Sequence, residues 1–413
     1  MIDITPNAKI APIILGGDIG AYALGREFHE AYGTIAYSVV EVPIAAIQRS
    51  RIFRHVAASS TDPDQVLEAV RGIMAEHPGA AAVLITNSEP SIPAVEYVRA
   101  KMPEVASPTP AAEVVAQVSN KDRFCELCRA NGLDVPQTER VDLSGTAPIT
   151  PSALPFPVVA KPAYSPEYAR YINRGFKKVY FIERQEQLDD LWASLREAGF
   201  AGSFLVQELI GGDDTYMDSI TLYIDSAGAC TLFGGANVLL EDHAPAMLGN
   251  PVAMITTPMD EGGTWEKCAR MLAGIGYRGF ANFDIKRDPR TGRKLFFEVN
   301  PRIGRNSYYN CAAGANPMAF AVEDLVFGRR VEPVRITREI LYTLVPVRLL
   351  RRYVRDPELA ARMEALVRSG EVYDPQRYRA DAGWHRMLDV NVTELNQYRK
   401  FARYYPKPTE TSF

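Results

Sequence analysis

The sequence predicts an α/β protein whose later part is built of α+β lobes, and three observations carry that reading. An apolar run from Ile10 to Gly16 opens into Gly16-Gly17-Asp18-Ile19-Gly20 and then a helical stretch, the strand, glycine turn and helix of a Rossmann-like start. Strand and helix patterns go on alternating through the first hundred or so residues, as in a small parallel domain. Much later, Phe283-Asp284-Ile285-Lys286 and Phe297-Glu298-Val299-Asn300-Pro301-Arg302 both alternate apolar and polar, the period of a half-buried strand, around a turn-forming Asp288-Pro289-Arg290-Thr291-Gly292-Arg293.

Taken in order, the first helix runs through Ala23, Leu24, Phe28 and Ala31. Val39 to Val42 and Ala81 to Thr86 read as strands, with a helix from Asp64 to Glu76 between them. Lys121 stands near the start of a helix, after Ser119-Asn120. Pro151 to Pro157 is a proline-rich connection into Val158-Val159-Ala160-Lys161-Pro162, a buried strand ending in a lysine. A helix from Gln187 to Ala198 precedes the apolar strand Phe204 to Ile210. Residues 216–224 and 229–236 form a hairpin across Asp225-Ser226-Ala227-Gly228. Thr264 to Gly274 and Pro317 to Phe327 are helices on either side of the Phe283–Arg302 hairpin. Beyond residue 336, Leu349 to Arg355 and Pro357 to Arg368 carry arginines on helical spacings, and 371–413 is rich in Tyr, Arg and Asp.

Composition narrows the class. The chain has 413 residues, 47% of them hydrophobic, enough for two or three packed domains. A net charge of -4 with a pI of 5.9 argues against a general nucleic-acid binder. No apolar run is long enough to span a membrane, and Met1 to Pro6 lacks the basic segment of a secretory signal, so a soluble cytoplasmic protein is expected. Five cysteines do not make a disulfide framework; Cys125 and Cys128 read as thiols on a helix, since no second pair completes a zinc site.

The hairpin carries the chemistry. Asp284, Glu298 and Asn300 would project from one face and gather hard oxygen donors, the set that Mg2+ takes when it bridges nucleotide phosphates. Arg302, just past the strand, offers a rigid cationic fork for a phosphate or carboxylate. This Asp-x-Lys, turn, Phe-Glu-Val-Asn-Pro-Arg pattern resembles the metal-binding end of the ATP-grasp superfamily, whose enzymes use ATP to join a carboxylate to an amine or related nucleophile. The resemblance spans roughly residues 10–330.

It implies an ATP-grasp fold behind a Rossmann-like leading domain, divided as 1–115, a first lobe with its lid at 116–200, a second lobe with the metal hairpin at 201–335, and an extension at 336–413. It implies ATP with Mg2+ (or Mn2+) as cofactors. Lys121 and Lys161 resemble the two lysines that reach the phosphates. Gln207-Glu208-Leu209-Ile210 resembles the linker that recognises adenine, and Asp213 or Asp214 would accept the ribose hydroxyls. Asp284, Glu298 and Asn300 would hold the metal. Lys161 and Arg302 would act catalytically, and Arg302 with Arg305, Asn306 and Asp18 would hold the substrate. One departure is the lid. Where many relatives carry a glycine-rich loop, Ala163 to Val179 has only Gly175, and offers Arg170, Arg174, Lys177 and Lys178 with Tyr164, Tyr168 and Tyr171 instead. His243 is read as solvent-exposed.

Within the superfamily, Gly16-Gly17-Asp18-Ile19-Gly20 and Gly304-Arg305-Asn306-Ser307-Tyr308-Tyr309 look most like the D-aspartate ligase group, which attaches an amino acid to the amine of a peptidoglycan precursor peptide. The expected partners are therefore a small amino acid and an amine acceptor, with pairing into a homodimer as in many relatives. Dipeptide synthesis, nucleotide-pathway carboxylation and a non-catalytic ATP-binding regulator are the competing readings, because fold alone does not fix substrate.

Overall fold

Ile10–Leu15 is buried along its whole length, which is why six apolar residues here form a central strand rather than one face of a helix. The computed structural model describes residues 2, 4–5, 8–172, 174–245, 247–257 and 261–411; of the N-terminal stretch considered above, Met1, Asp3 and Pro6 lie outside them. The leading sheet has four parallel strands in the order Phe53–Val56, Ala36–Val39, Ile10–Leu15, Ala81–Thr86. Asp18 caps the helix Ile19–Tyr32, its carboxylate accepting from the Ala21 amide at 2.8 Å, and Gly33 ends it in the left-handed conformation.

Two expectations shift in this sheet. The strand expected at Val39–Val42 is Ala36–Val39, and Val42 stands 77% exposed beyond it. The apolar run misled because the buried segment uses Ala36 and Ser38, which carry little pattern but sit fully inside the sheet. Phe53–Val56 gave no signal at all: it is a short edge strand with Arg54 and His55 exposed, the charged composition that keeps such edges from pairing with other chains.

A second, antiparallel sheet runs Thr138–Asp142, Ser203–Glu208, Val158–Pro162, Tyr180–Ile182. It has an apolar core of its own, drawn from residues 143–206 and centred on Tyr168, Tyr171, Trp192, Phe200 and Phe204. This changes the reading of Ala163–Val179. Ser165–Ile172 is a helix, and Tyr168 and Tyr171, three apart on one face, are buried against Phe200 at 5.4 and 5.2 Å between ring centroids. Arg174 donates to the Ala198 carbonyl at 2.9 Å. Tyr168 and Tyr171 thus anchor the segment in this core, while Tyr164 is exposed.

The largest sheet has eight strands. Its path runs Lys294–Asn300, Gly279–Arg287, Met217–Ile224, Cys230–Asp242, Asn250–Thr256, Leu341–Thr343, Val372–Tyr373, and Val334–Arg335 pairs with Cys230–Asp242 off that path. The helices Ala112–Ser119, Lys121–Ala130 and Thr264–Gly274 pack Phe124, Leu127, Cys128 and Met271 on it. Cys128 is fully buried and its thiol lies 3.9 Å from the Met271 sulfur, as expected of an inert thiol.

Residues after 336 are woven into this frame. Leu341–Thr343 and Val372–Tyr373 extend the large sheet. The helix expected from Leu349 to Arg355 is only Val347–Leu350, whereas Pro357–Ser369 forms as expected. Trp384–Tyr404, a 21-residue helix, was hidden in the Tyr- and Arg-rich tail. Just before it, the fully buried Asp381 accepts from Tyr22 Oη at 2.8 Å, Ser50 Oγ at 2.7 Å and the Arg51 amide at 2.7 Å, and pairs with Arg386 at 3.0 Å. Among the described residues, no helix is long and apolar enough to cross a membrane.

Candidate active site

Strands Gly279–Arg287 and Lys294–Asn300 pair antiparallel with Asp284 opposite Glu298 and Asn282 opposite Asn300. Side chains directly opposite on such a pair lie about 5 Å apart. Two carboxylates at that spacing repel by about 3 kcal/mol at an effective dielectric near 20, equivalent to about two pKa units. Accordingly, burial and then the Glu298 charge push Asp284 up to about 7, even though Arg302 and an Asn300 amide at 3.0 Å favour its ionised form. Glu298 opens to the cleft. Desolvation acts to raise its pKa, but Lys121, Lys161, Lys178 and Arg302 outweigh that and hold it below the usual carboxylate range. An in-register acid pair with an adjacent amide oxygen fits a hard divalent cation, which would relieve the repulsion.

The cations come from across the cleft. Lys121 is the first residue of its helix, set there by Asn120, whose side chain accepts from the Arg123 amide. Lys161 sits near the end of Val158–Pro162; its ammonium donates to Gln207 Oε1 at 3.1 Å and lies 5.6 Å from the centre of the Phe297 ring, beside Glu298. Burial, then the neighbouring Lys121, pull Lys161 down to about 7. Burial also lowers Lys121, against the opposing pull of Glu298. Two lysines crowded together in this way are short of anionic charge.

Next to Lys161, Gln207 donates to Thr138 Oγ1 at 3.0 Å, and the Glu208 carboxylate accepts from the Gln137 amide at 2.8 Å. Leu209 and Ile210 lie past the end of that strand, with Ile210 buried. Asp213 accepts from the Thr215 amide and hydroxyl and pairs with Arg355 at 3.2 Å. Asp214 is buried, accepting from the Glu241 amide and pairing with His243 Nε2, both at 2.9 Å. His243 is buried too, stacked 3.5 Å from Tyr405, which corrects the solvent-exposed reading; the aromatic partner lies 162 positions away and leaves no local signature.

Arg302 donates to Asn300 Oδ1 at 3.1 Å and to the Ile303 carbonyl at 3.2 Å, while its Nε has no hydrogen-bond partner among the described residues. Arg305 pairs with Asp18 at 2.6 Å, and Asn87 donates to the same carboxylate at 3.1 Å. Asn306 is buried with its amide against the Met254 sulfur at 2.9 Å. The structure thus gathers Lys121, Lys161, Asp284, Glu298, Asn300 and Arg302 at one cleft, with Asp18 and Arg305 joined beside it. Two glycines permit this approach. A methyl on Gly20 would lie 2.2 Å from Asn87 Nδ2 and 2.7 Å from Arg305 Cγ, and one on Gly304 would lie 2.6 Å from Asn306 Oδ1.

The sequence reading missed two residues. Lys286, 5% exposed, faces Glu241, Asp214 and Asp213, and burial lowers its pKa. Glu241 is raised to about 8 by burial, then by Asp214 and Asp284. The strand period was the available signal for Lys286, which lies two residues from Asp284. Glu89, at the start of a short turn after Ala81–Thr86, also borders the site: burial raises it against the pull of Arg302.

Solved structures share this architecture. A biotin carboxylase from Campylobacter jejuni in a β-γ-ATP complex superposes with a TM-score of 0.55 at 16% identity, over 78% of this chain and 71% of that one. An L-amino acid ligase from Bacillus licheniformis gives 0.53 at 15% identity, over 78% and 75%. The chain has the ATP-grasp fold, and the ligases it resembles support an enzyme that forms C–N bonds. Its sequence is similar to a D-aspartate ligase of Enterococcus faecium (strain Aus0004), 29% identical over 421 residues, 98% of this chain and 99% of the relative, and the two are homologues. No protein-family profile matches the chain.

Proposed function

We propose that this enzyme is an ADP-forming ligase that joins the carboxylate of an aspartate-like amino acid to the amine of a peptide such as a peptidoglycan precursor, through an acyl phosphate. The observation that carries the proposal is the in-register Asp284–Glu298 pair with Asn300 and Arg302 at its strand end, faced by Lys121 and Lys161. Similarity to a D-aspartate ligase along nearly the whole chain supports the choice of amino acid.

Lys121 and Lys161 would hold the terminal phosphates, and Gln207, Glu208, Leu209 and Ile210 would receive the adenine. Of the two aspartates, Asp213 is the better ribose acceptor, because Asp214 is buried on Glu241 and His243. Asp284, Glu298 and Asn300 would hold Mg2+ or Mn2+, which offsets phosphate charge during transfer. The substrate carboxylate oxygen attacks the γ-phosphorus and ADP leaves. The amine then forms the C–N bond as phosphate departs and the amine proton is lost. Arg302, with its free Nε, would hold the reacting carboxylate and stabilise the tetrahedral oxyanion. Asp18, Arg305 and Asn306 would define the amino-acid side of the cleft. ATP as substrate is consistent with a cytoplasmic setting.

The test is to incubate the protein with ATP, Mg2+, hydroxylamine and a panel of D- and L-amino acids. ADP and a hydroxamate are expected, with D-aspartate preferred. Formation of AMP and pyrophosphate would reject the acyl-phosphate route.

A further inference from the structure

The helix Trp384–Tyr404 turns only one face to the protein. Arg386, Val390, Gln397 and Phe401 are buried, while Trp384, Leu388, Val392 and Leu395 are 68%, 48%, 55% and 63% exposed. Their spacings of four, four and three residues put them within one narrow stripe of the helix. Isolated exposed apolar residues need no explanation, but an aligned ridge of four, led by a tryptophan, does.

Its surroundings are cationic. Beside Trp384 lies an open recess of about 450 Å³ lined by Arg49, Arg51, Gly383, Trp384, His385 and Arg386. Along and around the ridge, Arg51, Arg379, Arg399 and Arg403 are exposed and have no acidic partner among the described residues. The acids of this helix are already neutralised, Asp389 by Arg49 at 3.2 Å and Glu394 by Arg377. A second copy of the chain is a poor occupant. Basic groups flank both ends of the ridge, so parallel or antiparallel apposition of two such helices brings like charges together.

We infer that this face docks on an anionic phospholipid surface. The ridge Trp384–Leu388–Val392–Leu395 enters the boundary between headgroups and acyl chains, and the arginines, with the recess beside Trp384, meet the lipid phosphates. Apolar residues flanked by cations on an otherwise soluble helix are the arrangement of an interfacial helix lying in the membrane plane. Exposed tryptophan suits the same boundary, since its ring is apolar and its N–H remains wet.

The test uses the full-length protein with phosphatidylcholine vesicles, with and without phosphatidylglycerol. Trp192 and Trp265 are already buried, so a fluorescence blue shift on binding reports Trp384. Sedimentation with the anionic vesicles alone is expected, with a blue shift and with loss of binding at high salt. Leu388→Glu with Leu395→Glu should weaken that binding at least roughly tenfold, and Arg51→Gln or Arg399→Gln each about fivefold. These changes should leave far-UV circular dichroism and solution turnover unaltered. Absence of sedimentation with either vesicle overturns the inference. So does binding unaffected by the Leu388/Leu395 variant, or a blue shift that grows with protein concentration without lipid, which would assign the ridge to a second copy.

Discussion

Asp284 and Glu298 share one small volume, and their opposite shifts show that environment rather than residue type sets each role. Glu298 faces four cations and stays ionised, whereas Asp284 faces Glu298 and does not readily do so. Glu298→Gln should cut kcat by about a hundredfold or more while leaving thermal unfolding unchanged, because the site loses charge that opposes the lysines. Steady-state kinetics beside circular dichroism measure both. Lys161 gives a pH prediction with a definite sign. Its pKa is about 7 in the free enzyme, and bound phosphates would raise it. Above pH 7 nucleotide binding should therefore take up a proton, and affinity should fall as pH rises toward the bound-state value. Calorimetry in buffers of different ionisation heat reads that uptake directly, and no buffer dependence at pH 8 would contradict it. Residues of this kind were legible in the sequence because strand period and strand ends fix where they point. Arg305–Asp18 was not legible as a pair, because its geometry depends on Gly20 lying against a loop 285 positions away. Gly20→Ala should raise KM for the amino acid more than it lowers kcat, since Arg305 must shift while the metal-side residues stay in place.

At the level of elements, apolar periodicity found the strands that are buried on both sides and the helices with capped ends. Thr264–Gly274 formed with the bounds expected, and Val158–Pro162 likewise. Elements whose stability comes from distant partners escaped: Phe53–Val56 at a sheet edge, and Trp384–Tyr404, whose inward face is mixed polar and apolar. The second of these reaches the surroundings of Asp214. Tyr405, just past its end, stacks on His243, which pairs with Asp214. Lys400 donates to Asp242 at 2.7 Å, and Arg355 pairs with Asp213. Tyr405→Ala should cost about 3 kcal/mol in folding stability and raise KM for ATP, because a buried ring and the support of His243 are lost together. Denaturation and ATP titration measure the two effects separately.

The whole molecule is tied together through its C-terminal residues. Asp381 and Arg386, both essentially inaccessible, sit between the leading sheet and the final helix. Asp381→Ala strips the partner from a buried guanidinium and three donors, and should destabilise by about 3–5 kcal/mol. Limited proteolysis should then release the last helix early, whereas unchanged protease resistance would show that other contacts hold it. None of this was visible from local pattern, because it rests on contacts between residues more than 300 positions apart.

The separate apolar core of residues 143–206 has a mechanical consequence. The leading sheet and the large sheet are strapped to each other by the tail, and the helices before residue 131 pack on the large sheet. The chain enters the small antiparallel sheet near residue 134 and leaves it near 209, and side-chain contacts such as Arg140–Asp122 at 2.6 Å also join it to this frame. With a core of its own, it is the part that would move as a unit. Because it carries Lys161 and Gln207, which the proposed function puts on the nucleotide, admission of ATP and closure over its phosphates would become one movement of this sheet against the strands that bear Asp284 and Glu298.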